Sequence, residues 1–134
     1  MRRILFALTC LALVSSASAQ QEKPSPAGCD SARIGARDLA DCLRTASDKS
    51  EKELASALEA ALKSIDARPK ILATRKARWK RFLNDSQTQW ASLRDQECQD
   101  LAPLETQGGP GDPRLACLIE HNDKRTAELK ARYP

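Results

Sequence analysis

The residues of this chain that could carry chemistry are five cysteines and a single histidine, His121. Cys10 lies in an apolar N-terminal run that we expect to be removed on export. The remaining cysteines form an even set, which in a small exported chain is typical of disulfides. Zinc is the rival, but the chain has no Cys-x2-Cys pair and only one imidazole. We therefore predict two disulfides and no metal. Three pairings are open, of which neighbour with neighbour is the simplest, Cys29 with Cys42 and Cys98 with Cys117.

Catalysis is not favoured by the other polar residues. His121 stands in the polar run Glu120 to Asp123, which is typical of a solvated helix face. Glu97 and Glu120 could approach each other, and paired carboxylates can perform acid–base chemistry, but surface salt bridges are the commoner use of such residues. The glycines of residues 108–111 follow no strand pattern, so they indicate a turn rather than a phosphate-binding loop. We expect no catalytic residue and no cofactor.

The N-terminus reads as an export signal. Arg2 and Arg3 precede an apolar run that is too short to span a bilayer, and a small-residue cleavage site ends at Ala19. Removal of the two arginines lowers the formal net charge from +4 to +2, so no strong overall field is expected. We predict a signal peptide at 1–19, a flexible leader at 20–28 and one domain at 29–134. The mature protein would be periplasmic or secreted, with no transmembrane segment and no nucleic-acid partner.

Apolar residues recur at helical spacing through three segments, and no strand pattern is present. The first element starts near Arg37 and is ended by Pro69; the second runs from about Lys70 to Leu101; the third starts at Pro113 with Asp112 as its cap. Glycines and prolines of residues 103–113 predict a loop between the last two. The expected fold is all-α, a small antiparallel bundle of about three helices with a disulfide-tied helical hairpin. The second element should bury one face, made of Ile71, Leu72, Trp79, Phe82, Leu83, Trp90, Leu93 and Leu101. The stripe of the third should be Leu115, Leu118, Ile119, Asn122 and Leu129.

Within the second element, Trp90, Arg94 and Cys98 are four residues apart and should share one helix face. We expect Arg94 to stack on Trp90 and to bind carbonyls of the Gly/Pro loop, which is a structural role. A kink is possible around residues 84–86, because Asn, Asp and Ser compete for backbone hydrogen bonds.

Charge is divided unevenly along the chain. Residues 68–81 contain seven basic side chains and no acidic one, whereas residues 94–123 contain seven acidic side chains against Arg94 and Arg114. The second helix should therefore be basic where it begins and acidic where it ends. Such an asymmetry favours charged partners of opposite sign at the two ends.

Several of these residues together resemble a known family. After the two leading cysteines come Trp90-x3-Arg94-Asp95-x2-Cys98, a glycine-containing loop, Cys117-Leu118 and Arg125-Thr126-x2-Leu129. The pattern is similar to that of the LprI-type lysozyme inhibitor domain, a small exported helical domain of bacteria, and it covers residues 29–133. The basic stretch at 68–81 departs from the family pattern, and no lipidation cysteine is present.

The resemblance implies inhibition of lysozyme by non-catalytic contact. Lysozymes of animal type are cationic, so the acidic hairpin could attract them, and we expect the contact near the loop with Asp95, Asp100, Glu105 and Asp112. The alternative is a periplasmic scaffolding protein that binds an envelope polymer through the basic start of the second helix. The oligomeric state is left open.

Overall fold

The computed structural model describes residues 28–106 and 111–134. Over these residues the elements are α1 (Ala36–Asp66), α2 (Ala73–Gln96), a π-helical turn (Glu97–Leu101), the short α3 (Ala102–Thr106) and α4 (Pro113–Arg132). The predicted signal peptide, nearly all of the leader and the centre of the Gly/Pro loop lie outside the described residues. Of the residues that the structure describes, none is in a strand. The predicted all-α bundle of three long helices is confirmed.

α1 is the longest helix, and it carries one continuous buried stripe. Its buried positions recur three or four residues apart, so they project from a single face. The helix ends one turn before Pro69, because proline disfavours a helical residue before it and removes a backbone donor. The buried residues of α1 are Leu39, Leu43, Ala46, Ser47, Ser50, Leu54, Ala57, Ala61 and Ile65.

α4 runs parallel to α1 and packs along its whole length. Ile119 lies in a core cluster with Leu39 and Leu43 near the start of α1. Leu129 lies in a second cluster with the α1 residues from Leu54 to Ile65. At the far end, the Ser64 hydroxyl donates to the Pro134 carbonyl over 3.0 Å. These contacts make α1 and α4 the main helix pair of the bundle.

The start of α4 is defined by Gly111, Asp112 and Pro113. Asp112 Oδ1 accepts hydrogen bonds from the backbone N–H groups of Arg114 and Leu115, so the predicted cap is confirmed. Gly111 has a φ of +94°, and a Cβ there would lie 3.1 Å from the Leu43 side chain. Both the backbone conformation and the close approach to α1 therefore require glycine.

α2 runs antiparallel to the other two long helices and buries far less. Of its 24 residues only Leu83 is buried, whereas Leu72, Phe82, Leu93 and Leu101, all predicted to face the core, are exposed. The prediction of one apolar face was wrong because these residues do not lie on one face. Phe82 and Leu83 are adjacent, so they project about 100° apart, and Leu93 is almost in line with Phe82.

The irregularity in this second element lies at its end and not at its middle. α2 continues without a break through residues 84–86, where the Ser86 hydroxyl donates to the Leu83 carbonyl within the helix. Regular helix runs through the position where a kink was considered possible, and the π-helical turn at Glu97–Leu101 follows α2. Helical structure then extends to Thr106, past the predicted loop start, because Pro103 stands in the first turn of α3, where a missing N–H is tolerated. Within the described residues, no helix is both long enough and apolar enough to cross a membrane.

Candidate functional site

The four cysteines of the described residues form the two disulfides of the simplest pairing. Cys29–Cys42 closes the turn before α1, with 5.8 Å between the Cα atoms. Cys98–Cys117 joins the π-helical turn to α4, with a Cα separation of 5.4 Å. His121 has a ring nitrogen within 4.8 Å of both sulfurs of the second bond. Zinc takes cysteine as the thiolate, which a disulfide does not offer, so this group is a disulfide beside a histidine.

Trp90 sits under two arginines where α2 faces α4. The Arg94 guanidinium lies 5.2 Å from the centre of the Trp90 ring, as its spacing predicts, and the Arg125 guanidinium from α4 lies 5.6 Å from it. Each cation–π contact of this kind contributes about 0.5–1 kcal/mol at a partly exposed site. The stack therefore fixes α2 to α4 at a place where few apolar side chains connect the two helices.

Arg94 also reaches a buried polar chain that links all three long helices. Its Nη1 donates to Asn122 Oδ1 over 2.6 Å, and Asn122 Nδ2 donates to the Ser50 hydroxyl over 3.0 Å. Ser50 in turn donates to the Ser47 carbonyl within α1. Asn122 is fully buried, so each of these bonds replaces one that water would have made. Among the described residues the Arg94 side chain thus bonds Asn122 and Asp95 and no loop carbonyl, and residues 107–110 at the centre of the loop lie outside them.

Residues that follow Asn122 on α4 add to the same contact between α2 and α4. Arg125 Nε donates to Gln87 Oε1 on α2, and its Nη1 pairs with Glu128. Thr126 is buried, and its hydroxyl has no hydrogen-bond partner among the described residues. Leu129 belongs to the core beneath them. Ser50, Gln87 and Asn122 were missed as site residues, and the usable signal was one polar residue, Asn122, in the predicted apolar stripe of α4.

The four carboxylates expected to meet a partner have different environments. Asp95 binds the Arg94 guanidinium and is still well exposed. Asp100 is exposed on the π-helical turn. Asp112 is held as the cap of α4. The Glu105 side chain lies outside the described part of the chain. The first three stand at the disulfide end of the bundle, on the segments that lead out of α2 and into α4.

The other acidic groups of this end are partnered. Glu97 Oε1 lies 3.5 Å from His121 Nε2, and Glu120 forms an ion pair of 2.7 Å with Lys124. The Glu120 carboxylate raises the pKa of Lys124, first by hydrogen bonding and then by its charge. The surface salt bridge predicted for Glu120 is therefore present. His121 pairs with Glu97 and has about a quarter of its side chain exposed, so it is not the fully solvated residue that its polar neighbours suggested.

The basic side chains of residues 68–81 point in two directions, toward α1 and toward solvent. Lys76 and Lys80 turn toward the end of α1, where they bind the Asp66 carbonyl and carboxylate over 2.6 and 2.8 Å. Arg75, Arg78 and Arg81 are exposed on α2, and none of them has an ion pair within the part of the chain that the structure describes. The start of α2 therefore presents three arginines to solvent.

Comparison with known families decides what this architecture belongs to. The family model described as Lysozyme inhibitor LprI matches residues 29–129, from the first disulfide cysteine to the last core leucine of α4. The chain belongs to the lysozyme inhibitor LprI family. Neither the curated proteins nor the solved structures include a significant match.

In this member of the LprI family, the residues that carry the resemblance form the joint between the helices. Trp90, Arg94 and Arg125 are stacked, Cys98 and Cys117 are bonded, and Leu129 is in the core. The motif thus holds the fold together. A surface that contacts another protein must be sought among the exposed side chains around it.

Proposed function

We propose that the mature chain is an exported lysozyme-inhibitor-like protein that acts by non-catalytic contact. Membership of the LprI family is the observation that carries this proposal. The two disulfides support export, because such bonds persist in oxidising compartments and are rare in the cytosol.

The acidic end of the bundle is the surface that we assign to the contact. Asp95 and Asp100 present exposed carboxylates beside the Cys98–Cys117 bond, and residues 94–123 carry a net charge of −5. A cationic lysozyme would be steered to this end, and complementary charge raises association rates more than it raises affinity. The disulfide and the Arg94–Asn122 chain support the position of these carboxylates.

Non-catalytic action is supported by the state of the groups that could react. The four cysteines of the described residues are in disulfides, and His121 and Glu97 are paired with each other. Glu120 is engaged by Lys124. We therefore assign the protein to binding and assign none of these residues to acid–base or nucleophilic work.

The test is inhibition of an animal-type lysozyme by the purified, oxidised mature protein. We expect dose-dependent inhibition that weakens as salt rises, because the Debye length falls to about 8 Å at 0.15 M ionic strength. A reduced and alkylated sample should lose inhibition. Complete absence of inhibition by protein with an intact fold would refute the proposal.

A charge-reversed pair of variants locates the surface. Asp100→Lys should weaken inhibition about tenfold, because it reverses an exposed charge at the acidic end. The matched control is Glu51→Lys, which makes the same charge change at an exposed position of α1. Equal inhibition by the two variants would show that the acidic end is not the contact.

A second candidate rests on Arg75, Arg78 and Arg81, the exposed arginines without an ion pair among the described residues. In this alternative the protein is a periplasmic scaffolding protein whose basic start of α2 binds an anionic envelope polymer. Binding to an anionic glycan column should then be lost above about 0.2 M salt. An Arg75→Glu/Arg78→Glu variant that is retained as strongly as the parent would exclude this candidate.

A further inference from the structure

All five large apolar side chains that are strongly exposed among the described residues lie on one rod. The rod runs from the residue before α2 through the π-helical turn to α3. Its exposed apolar residues are Leu72, Phe82, Leu93, Leu101 and Leu104, each with at least half of its surface accessible. Phe82 and Leu93 are exposed on one side of α2, whereas Leu72 projects about 80° from Phe82. Large exposed apolar side chains that are concentrated on one segment favour an interaction face.

The middle of this segment is well defined by helix geometry. Phe82 and Leu93 are eleven residues apart, which is about three turns, so their side chains project within about 20° of each other. Leu83, the one buried residue of α2, projects about 100° away from Phe82 toward the core. The Phe82–Leu93 face therefore lies to the side of the face that packs on the bundle, and Phe82 borders a groove whose other wall is formed by α4.

The two halves of the rod carry opposite charge. Arg75 and Arg78 precede Phe82, whereas Asp100 stands near Leu101 at the other end. None of these three side chains has an ion pair within the described residues. A uniformly anionic partner would be repelled at the acidic end, and a uniformly cationic one at the basic end. The face needs a partner that is acidic opposite its start and basic opposite its end.

A second copy of this rod, running in the opposite direction, has that charge pattern. Its acidic end lies opposite the basic start of the first copy, and its basic start lies opposite the acidic end. Phe82 and Leu93 are equally distant in sequence from the point between Gln87 and Thr88, and Arg75 and Asp100 are equally distant from the same point. If two copies of α2 cross antiparallel at that point, Phe82 of each meets Leu93 of the other. Arg75 of each then faces Asp100 of the other, and each pairing occurs twice because a two-fold interface repeats every contact.

We propose that this face is the contact of a two-fold symmetric homodimer in which the α2 helices lie antiparallel. Two Phe82–Leu93 contacts, one on each side of the crossing point, supply the apolar part of the interface, and the arginine–aspartate pairs fix the direction and register of the helices. The proposal goes beyond the lysozyme contact but shares Asp100 with it. Sedimentation is measured without lysozyme, and an inhibition assay of Phe82→Asp, which leaves Asp100 in place, shows whether loss of the dimer alone changes inhibition.

The first experiment is sedimentation velocity of the oxidised mature protein over a micromolar concentration series. We expect a monomer–dimer equilibrium. Phe82→Asp and Leu93→Asp should each raise the dissociation constant about 100-fold or more, because each places a charge in both of the Phe82–Leu93 contacts. Ala77→Asp is the matched control. It adds the same charge to an exposed site of α2 that projects about 140° from Phe82 and lies about ten residues from the crossing point, and it should leave the constant unchanged.

A charge exchange tests the antiparallel register and does not depend on the apolar variants folding. Arg75→Asp and Asp100→Arg should each weaken the dimer about tenfold, because each places like charges opposite one another. The variant with both changes should recover the parent constant, since the exchanged charges again meet across the two-fold axis. Circular dichroism and intact mass confirm the helices and the disulfides of every variant.

Several results would overturn the proposal. A parent protein that stays monomeric throughout the series would do so, as would a dimer unaffected by Phe82→Asp and Leu93→Asp. Failure of the charge exchange to restore association would refute the antiparallel register. Vesicles of phosphatidylglycerol and phosphatidylcholine provide a further arm. If monomers bind them through Phe82 and Arg75 and no dimer forms, the face belongs to a lipid surface instead.

Discussion

The α1–α4 pair and α2 both carry apolar residues, but they use them differently. Nine residues of α1 and five of α4 are buried, against Leu83 alone in α2. The α1–α4 pair is a conventional core with a continuous apolar seam. α2 is attached at separate points, which are Leu83, the Trp90 stack, the Lys80–Asp66 ion pair and the disulfide that follows it.

This difference assigns stability to one region and surface function to the other. A helix with little buried area opens at a lower free energy than the core does, and its exposed side chains are available to a partner. The lysozyme contact and the dimer contact proposed above both lie on α2 or on the segments that continue it. The following predictions test whether the two regions differ as their packing indicates.

The largest expected effect comes from a cavity in the α1–α4 core. Ile119→Ala should lower the free energy of unfolding by about 3–4 kcal/mol, because Ile119 is 1% exposed and its neighbours on α1 cannot follow the lost atoms. The comparable truncation on α2, Leu93→Ala, should change it by less than about 0.5 kcal/mol at concentrations where the protein is monomeric. Urea unfolding measures both, and equal losses would show that α2 is packed as tightly as α1.

Removal of the second disulfide should lower the free energy of unfolding by nearly as much, but its local effect should fall on α2 and not on the α1–α4 core. Cys98→Ala/Cys117→Ala opens a loop closed over 19 residues and should cost about 3 kcal/mol, chiefly through the unfolded chain. Hydrogen exchange should then rise in the second half of α2 and in the π-helical turn. Cys29→Ala/Cys42→Ala is the matched control, since its bond spans 13 residues and should leave exchange in α2 unchanged. If hydrogen exchange rises equally along the chain in both variants, α2 is not held at separate points.

The polar chain beneath the Trp90 stack should contribute somewhat less. Asn122→Leu should cost about 2 kcal/mol, because Arg94 Nη1 loses its acceptor and the Ser50 hydroxyl loses the donor that it accepts from, both in a buried place. In the background of Arg94→Met the same change should cost clearly less, since one unsatisfied group has been removed. A double-mutant cycle by urea unfolding gives the coupling. Additive losses would mean that Arg94 and Asn122 do not depend on each other.

The fold was largely predictable because helical periodicity and the capping and breaking residues act locally. Pro69, Asp112 and Pro113 placed helix ends correctly, and the even cysteine set led to the simplest pairing. The exposure of Leu72, Phe82, Leu93 and Leu101 was not predictable in the same way. Composition shows that a residue is apolar, but only the packing of α1 against α4 decides that too little core surface is left for α2.

The sequence predicted which residues of α2 form the site, but it did not predict the residues of other helices to which they bond. The spacing of Trp90 and Arg94 predicted their stack, since both lie on one helix. The bonds from Arg94 to Asn122 and from Asn122 to Ser50 join three different helices, and no local spacing encodes such a contact. Pro103 was assigned to a loop because proline breaks helix interiors, yet after a π-helical turn it stands in a first turn, where it is tolerated.

The smallest effect concerns a carboxylate on the α1–α4 side. Burial raises the pKa of Asp123, the charge of Glu53 raises it further, and Lys49 opposes both. A carboxyl with a raised folded-state pKa holds its proton more tightly when folded than when unfolded. Its charged form therefore destabilises the fold above the raised pKa, and this penalty disappears as the pH falls below the ordinary value of 3.8. Asp123→Asn should thus raise the unfolding temperature slightly at pH 7 and leave it unchanged at about pH 3. Asp48→Asn, at an exposed position of α1 with the same loss of charge, is the control. If Asp123→Asn lowers the unfolding temperature at pH 7, the charged Asp123 side chain stabilises the fold, and its position between Glu53 and Lys49 is favourable.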